Sequence, residues 1–209
     1  REVRKPLSRA ELARLGSAYW WVLAVAAAFT LARFSEAFLL LRAQTAGLQV
    51  MLVPGVLVLM NVVYAAAAYP AGVLSDRMSR TAILAIGLVV LIVADLMLAL
   101  LPGMAGAAAG TVLWGLHMGL TQGLMAAFVS DKAPAELRGT AFGVFNLVTG
   151  LAALAASILA GALWDLIGPL ATFLAGAGFA AAALAGLSVV QGWIGPTATP
   201  SQSSGGTNI

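Results

Sequence analysis

Long apolar stretches alternate with short polar ones along almost the whole chain. Crossing a hydrocarbon core of about 30 Å takes roughly 20 apolar residues in a helix. Six segments meet that requirement: Ala18–Leu41, Leu48–Val73, Ala82–Leu101, Gly106–Val129, Thr140–Leu163 and Pro169–Val190. None carries the polar stripe that a helix facing water would need. The pattern predicts an all-α, polytopic membrane protein with six transmembrane helices over residues 17–192. Residues 1–16 are expected to form a cytoplasmic connector with a short surface helix, since Ser8 and Glu11 have capping-box spacing and Leu7 and Leu12 staple spacing. Residues 193–209, rich in Gly, Ser, Thr and Pro, are expected to be a disordered cytoplasmic tail.

Composition agrees. Hydrophobic residues make up 61% of the 209 and charged ones only 9%, where a soluble domain carries about 25%. The net charge of +3 is not gathered on a face that could follow a phosphate backbone, so nucleic acid is not an expected partner. The sequence has no cysteine and one histidine, so no disulfide framework, metal site or other cofactor is expected. The first residue is Arg rather than Met and no short apolar segment with a cleavage site is read before the first span, so no signal peptide is expected; the chain is expected to be part of a longer one.

The loops orient the spans. Arg1, Arg4, Lys5, Arg9, Arg14, Arg77, Arg80, Lys132 and Arg138 fall on one side of an alternating topology, and only Arg42 falls on the other. Basic residues favour the cytoplasm, which predicts a cytoplasmic (inner) membrane protein with both termini cytoplasmic. Small residues recur every fourth position, as Gly115, Gly119 and Gly123 in the fourth span and as Thr149, Ala153, Ser157 and Gly161 in the fifth. Such rows let helix backbones approach closely in lipid.

A short repeat adds internal symmetry. Residues 71–76 read AGVLSD and residues 160–165 read AGALWD, at the ends of the second and fifth spans. An odd number of spans lies between them, so the copies fall on opposite sides of the bilayer, as in an inverted three-plus-three repeat. The stretch Gly72–Arg80, GVLSDRMSR, resembles the G-x-L-x-D-R-x-G-R loop signature of the major facilitator superfamily. Gly72, Leu74, Asp76, Arg77 and Arg80 match, whereas Ser79 replaces the usual glycine and Thr81 a frequent basic residue. Pro134–Gly143, PAELRGTAFG, is similar to the cytoplasmic loop before the fifth helix of a half. The resemblance implies the C-terminal six-helix half of a twelve-helix secondary transporter whose N-terminal half is absent from this chain.

In that family the loop cluster latches the two halves in one access state, which implies a gating role for Gly72, Asp76, Arg77, Arg80, Arg138 and Gly139. Arg77 and Arg80 also suit plain positive-inside anchoring. The first, second, fourth and fifth helices of each half line the central cavity, and the third and sixth are peripheral.

Ionisable groups at membrane depth are expensive and are functional candidates by default. Arg33 and Glu36 are spaced i,i+3 on the expected first helix, close enough to pair, and lie roughly 5–9 Å outward of the midplane at 1.5 Å per residue. Protonating Glu36 would free Arg33 for an anionic group; the alternative is a fixed structural pair, or Arg33 reaching toward the lipid head groups. His117 shares a face with Trp114 and Thr121, opposite the glycine row, and either carries a proton or contacts substrate, or is hydrogen-bonded within the bundle. Asn61 and Asn146 complete the substrate or coupling set Arg33, Glu36, Asn61, His117 and Asn146. Asp95, on a peripheral helix, ranks lower. Pro54 and Pro70 are expected to bend the second span. No nucleophilic triad or phosphate loop is present in the sequence, so enzyme activity is not expected. Alternating-access transport of a small molecule, proton-coupled and directed outward, is the expected function; the alternative is a non-transporting six-helix scaffold.

Overall fold

A computed structural model describes residue 12 and residues 14–75, 77–122 and 124–193. The surface helix expected before residue 16, the tail after residue 193, Asp76 and Gly123 lie outside the described residues. Eight α-helices make up the described fold: α1 (Gly16–Ala32), α2 (Ala37–Thr45), α3 (Pro54–Ser75), α4 (Arg80–Leu100), α5 (Gly103–Thr121), α6 (Leu124–Lys132), α7 (Arg138–Leu166) and α8 (Pro169–Trp193). α1 with α2 is the first expected span, and α5 with α6 the fourth. Five of the expected spans are long and apolar enough to cross a bilayer. α5 is not among them, because it is the innermost helix, rich in glycine and alanine and carrying His117 where other helices carry leucine and valine.

Local signals explain most boundaries. The Ser79 hydroxyl accepts a hydrogen bond from the Ala82 N–H and caps the start of α4. At the end of α2, Gly47 takes φ +100°. Its N–H donates to Gln44 and that of Leu48 to Ala43, the Schellman closure that favours glycine. Pro54 is the first residue of α3, where its missing N–H costs nothing, so the expected bend there does not arise. Only Pro70 lies inside the helix.

The helix packing repeats itself. α4 lies against α5 and α8, and α1 against α8 and α7, while α3 packs on α5. Exchanging the first three spans for the last three turns α4–α5 into α8–α1, turns α3–α5 into α7–α1, and leaves α4–α8 unchanged. The minor contacts, α2–α5 with α6–α1 and α2–α3 with α6–α7, exchange too. A short 3-10 turn precedes both α3 and α7, at Val50–Leu52 and Ala135–Leu137. The repeat offset of the two A-G-x-L-x-D segments also separates Arg80 from Pro169, the first residues of α4 and α8, and Ala32 from Thr121, the last of α1 and α5. The inverted repeat therefore extends over the whole bundle.

The described members of the fourth-span row, Gly115 and Gly119, pack as expected. A Cβ at Gly115 would come within 2.5 Å of the Met60 carbonyl oxygen, and one at Gly119 within 2.6 Å of the Ala67 Cβ, both on α3. The row in α7 does not: Gly161 has open space where a Cβ would stand. The buried positions of that helix are Ala141, Ala156 and Ala160, and the last two lie one residue before Ser157 and Gly161.

Arg42, the lone basic residue of its side, is buried and caps a helix. Its Nε donates to the Leu98 carbonyl at 2.7 Å and one Nη to the Leu101 carbonyl at 2.8 Å. A cation at a helix C-terminus satisfies orphan carbonyls and suits the helix dipole. Arg42→Leu strands both carbonyls, and since hydrogen bonds to charged groups contribute about 1.5–3 kcal/mol each, thermal unfolding in detergent should show a loss of about 2–4 kcal/mol. Arg42→Lys should recover only part of it, lacking the planar fork.

Candidate functional site

The first span is broken where its charges lie. α1 ends at Ala32, and the Arg33 N–H is shared between the carbonyls of Phe29 and Thr30. Phe34 and Ser35 are non-helical, and α2 restarts after Glu36. The Ser35 hydroxyl accepts from the Ala37 N–H, so one of the free donors at the start of the second segment is satisfied. Neither proline nor glycine lies at the break; aromatic packing holds it open. The Phe34 ring is buried between Trp114 at 5.5 Å, Phe38 at 5.3 Å and Phe173 at 5.7 Å, centroid to centroid. Three aromatic contacts offset the hydrogen bonds the helix forgoes.

Arg33 and Glu36 consequently do not share a helical face, which corrects the spacing expectation, and no ion pair joins them. Arg33 occupies the C-cap of α1 and Glu36 the N-cap of α2. Each charge thus has the sign that its helix end favours. The Arg33 guanidinium lies 5.6 Å from the centroid of the Phe29 ring and donates at 3.5 Å to Oε1 of Gln122.

Gln122 is the C-cap of α5, beside the break in the fourth span. It stands 89 residues from Arg33, the offset of the repeat, so the two contacting residues are symmetry counterparts. Sequence reasoning passed over Gln122. Applying the repeat register to Arg33 would have singled it out, although nothing local marks either break.

Two open cavities meet at Arg33. One, of about 410 Å³, lies between α1 and α7 and is lined by Phe29, Thr30, Arg33, Phe145, Asn146 and Thr149 among others. The other, of about 310 Å³, is lined by Arg33, Phe34, Ser35, Glu36 and Trp114. Arg33, Glu36 and Asn146 are thereby brought together at one place. His117 lines neither cavity. It is fully buried behind Phe29, with ring centroids 5.4 Å apart, and its Nδ1 lies 2.7 Å from the Gly87 carbonyl of α4. A carbonyl only accepts, so Nδ1 carries the proton of that bond. Its face is as expected: Trp114 and Thr121 are buried with it. Asn61 is exposed and donates to Leu57 of its own helix; it joins neither cavity. Asp95 is fully buried on α4.

The loop residues sit at the other end. Arg80 forms an ion pair with Asp131, with both side chains about half exposed at 47% and 52%. The pair ties the loop after the second span to the one after the fourth, which puts these loops on one side. An exposed pair of this kind contributes about 0–1 kcal/mol, so it marks proximity more than strength. Arg77, Arg138 and Gly139 are exposed, and a Cβ at Gly72 would meet nothing within 4 Å among the described residues. α3 and α7, repeat counterparts, are the least covered spans, with only 11% of each apolar window buried.

Taken together, two broken helices meeting at their caps, an inverted repeat and an arginine between two open cavities define an all-α polytopic membrane protein built as a symmetric helix bundle. The chain belongs to the Major Facilitator Superfamily, whose model matches residues 1–157. It is 37% identical over 158 residues to an uncharacterized MFS-type transporter of Methanocaldococcus jannaschii, an alignment covering 73% of this chain and 39% of that protein. The chain thus spans about two fifths of the length of the curated relative it matches.

Proposed function

We propose that this chain is the C-terminal half of a secondary transporter, which moves a small molecule across the cytoplasmic membrane by alternating access. The observation that carries the proposal is Arg33, a cation at membrane depth, held at a helix break and open to two cavities. Such a residue binds something or moves something. The sparsely covered α3 and α7 suit packing against a second six-helix bundle. Nine basic residues against one favour cytoplasmic ends.

The cavity between α1 and α7 has a mostly apolar surface with Arg33, Asn146, Thr30 and Thr149 at its polar positions, which suits an amphiphilic molecule bearing an anionic group. Glu36 stands across the break from Arg33 and competes electrostatically with that group. A proton on Glu36 removes the competition, which links substrate binding to the proton gradient. Outward movement is the preferred direction.

The full-length protein in proteoliposomes tests this with a fluorescent amphiphilic anion as probe. An imposed pH gradient should drive probe movement, and Glu36→Gln should retain probe exchange while losing the response to the gradient. Gradient-driven accumulation undiminished in Glu36→Gln would remove Glu36 from coupling. Probe movement in no membrane preparation, for anionic and cationic amphiphiles alike, would sink the transport proposal.

A further inference from the structure

Asp95 is the one described ionisable side chain with 0% exposure that carries a carboxylate. Neither of its oxygens has a hydrogen-bond partner. It faces Gly176 on α8, where a Cβ would come within 2.7 Å of both Asp95 Oδ2 and Phe34 Cε1. The carboxyl, arriving from α4, and the ring, arriving from the break, therefore converge on one notch in α8. A side chain at position 176 would expel one of them.

The charged and titratable groups on the surrounding elements are all engaged or directed elsewhere. His117 on α5 turns to Gly87, roughly two turns along α4 from Asp95. Arg42 on α2 is committed to the carbonyls of Leu98 and Leu101. Arg33 and Glu36 flank Phe34 and line the open cavities. α8 carries no charged residue, and α3 offers only Tyr64 and Tyr69. None reaches the Asp95 carboxyl.

An ionised carboxylate without donor or cation is strongly disfavoured in an apolar interior and at membrane depth. The neutral acid is far less costly there. We propose that Asp95 is a second proton-binding site, in which the packed α4–α8 contact holds the neutral acid and loss of the proton opens that contact at Gly176 and displaces Phe34. Displacing Phe34 moves the break that carries Arg33. The proton leaves the carboxyl O–H for water admitted as the ring moves, and returns before the contact recloses; no other bond changes. Glu36 lines an open cavity, whereas the Asp95 carboxyl is sealed from solvent and is reached only when the bundle opens. That difference is what a step tied to conformation requires. The proposal deepens the transport reading by adding a carrier for the proton, and the site itself is tested without any substrate.

The test uses the full-length protein in lipid vesicles, with the proton as probe. Infrared difference spectra between neutral and alkaline pH should show a protonated carboxyl in the wild type that disappears on alkalinisation. Asp95→Asn should lack that band, and Glu36→Gln should keep it. The 209-residue sequence has no cysteine, so once any cysteine elsewhere in the full-length protein is replaced by serine, Ala180→Cys, at a fully buried position one turn beyond Gly176 on α8, can report the contact by maleimide labelling. Labelling should rise severalfold at alkaline pH, beyond the rise due to thiolate formation alone, and stay low in the Asp95→Asn background. Asp95→Leu must give the same two losses where the amide is poorly tolerated. A band unchanged in Asp95→Asn, a carboxyl already ionised at neutral pH, a band that follows sodium rather than pH, or labelling that rises equally without Asp95 each overturns the proposal. If the band and the labelling behave as expected while no probe is ever transported, the proton site stands and the transport reading falls.

Discussion

Arg33→Gln should weaken transport of an anionic amphiphile about 10–30-fold in apparent affinity while leaving a cationic one nearly unaffected. Truncating one member of a hydrogen-bonded charge pair costs about 2–5 kcal/mol, and each 1.4 kcal/mol is about a factor of ten. Arg33 is half-buried rather than sequestered, which places the expected loss at or just below the bottom of that range. Arg33→Lys keeps the charge but loses the planar fork and its seat on the Phe29 ring, so it should fall between wild type and glutamine. Uptake of the two dyes at matched expression is the measurement. Equal losses for both dyes would mean that Arg33 supports the helix break rather than recognising a negative charge. The side chain also sits at the C-cap of α1, where the cation is worth about 0.3–1 kcal/mol through the helix dipole. Thermal unfolding separates that structural share, which is small, from the binding share.

Gly115→Leu should have the largest effect on folding. Its first added atom already meets the Met60 carbonyl at 2.5 Å and the Val63 side chain at 3.1 Å. The carbonyl belongs to the backbone of α3 and cannot swing aside, so α3 and α5 must separate along a contact that serves both repeats. Overpacking typically costs about 1–3 kcal/mol, and a backbone obstacle puts this substitution at or above the upper end. A monodisperse fraction in size-exclusion chromatography and the thermal midpoint in detergent check it. Gly178→Leu is the matched control, because that glycine is exposed on α8 and a Cβ there meets nothing; it should leave both readouts unchanged. Equal behaviour of the two variants would show that α3 and α5 are not held in close contact by Gly115.

Much of the architecture follows from the one-dimensional pattern. Six apolar stretches with short polar connections demand helices that satisfy their own backbone in lipid, and the repeated A-G-x-L-x-D fixes the register of the two halves of the bundle. The glycine row at Gly115 and Gly119 signals close packing, because a missing Cβ matters only where another backbone arrives. The row in α7 fails by the same logic: alanine and glycine are so frequent that spacing alone cannot say which register faces the bundle. Ala156 and Ala160 took that place.

The chemistry at Arg33 depended on information that local sequence does not hold. A helical spacing of three residues predicts a pair on one face, but the chain at Arg33–Glu36 is not helical, since Phe34 gains more from Trp114, Phe173 and Phe38 than from continuing the helix. Those partners come from α2, α5 and α8, and two of them are distant in sequence. Gln122 meets Arg33 and Asn146 lines the same cavity only through that arrangement. His117, for which a proton or substrate role stood beside a hydrogen bond within the bundle, lies behind Phe29 and bonds the Gly87 carbonyl; Asp95, ranked lower for its peripheral helix, has no hydrogen-bond partner for either oxygen among the described residues.

Apolar run lengths and the internal repeat thus determined on their own that this protein is a membrane-embedded, inverted-repeat helix bundle, because hydrocarbon leaves an unassisted backbone few alternatives. Where the helices break, which charge meets which cavity and which carboxyl is sealed away were decided by the tertiary structure. Those outcomes rest on aromatic and backbone contacts between segments far apart in the chain, whose energies no single segment carries.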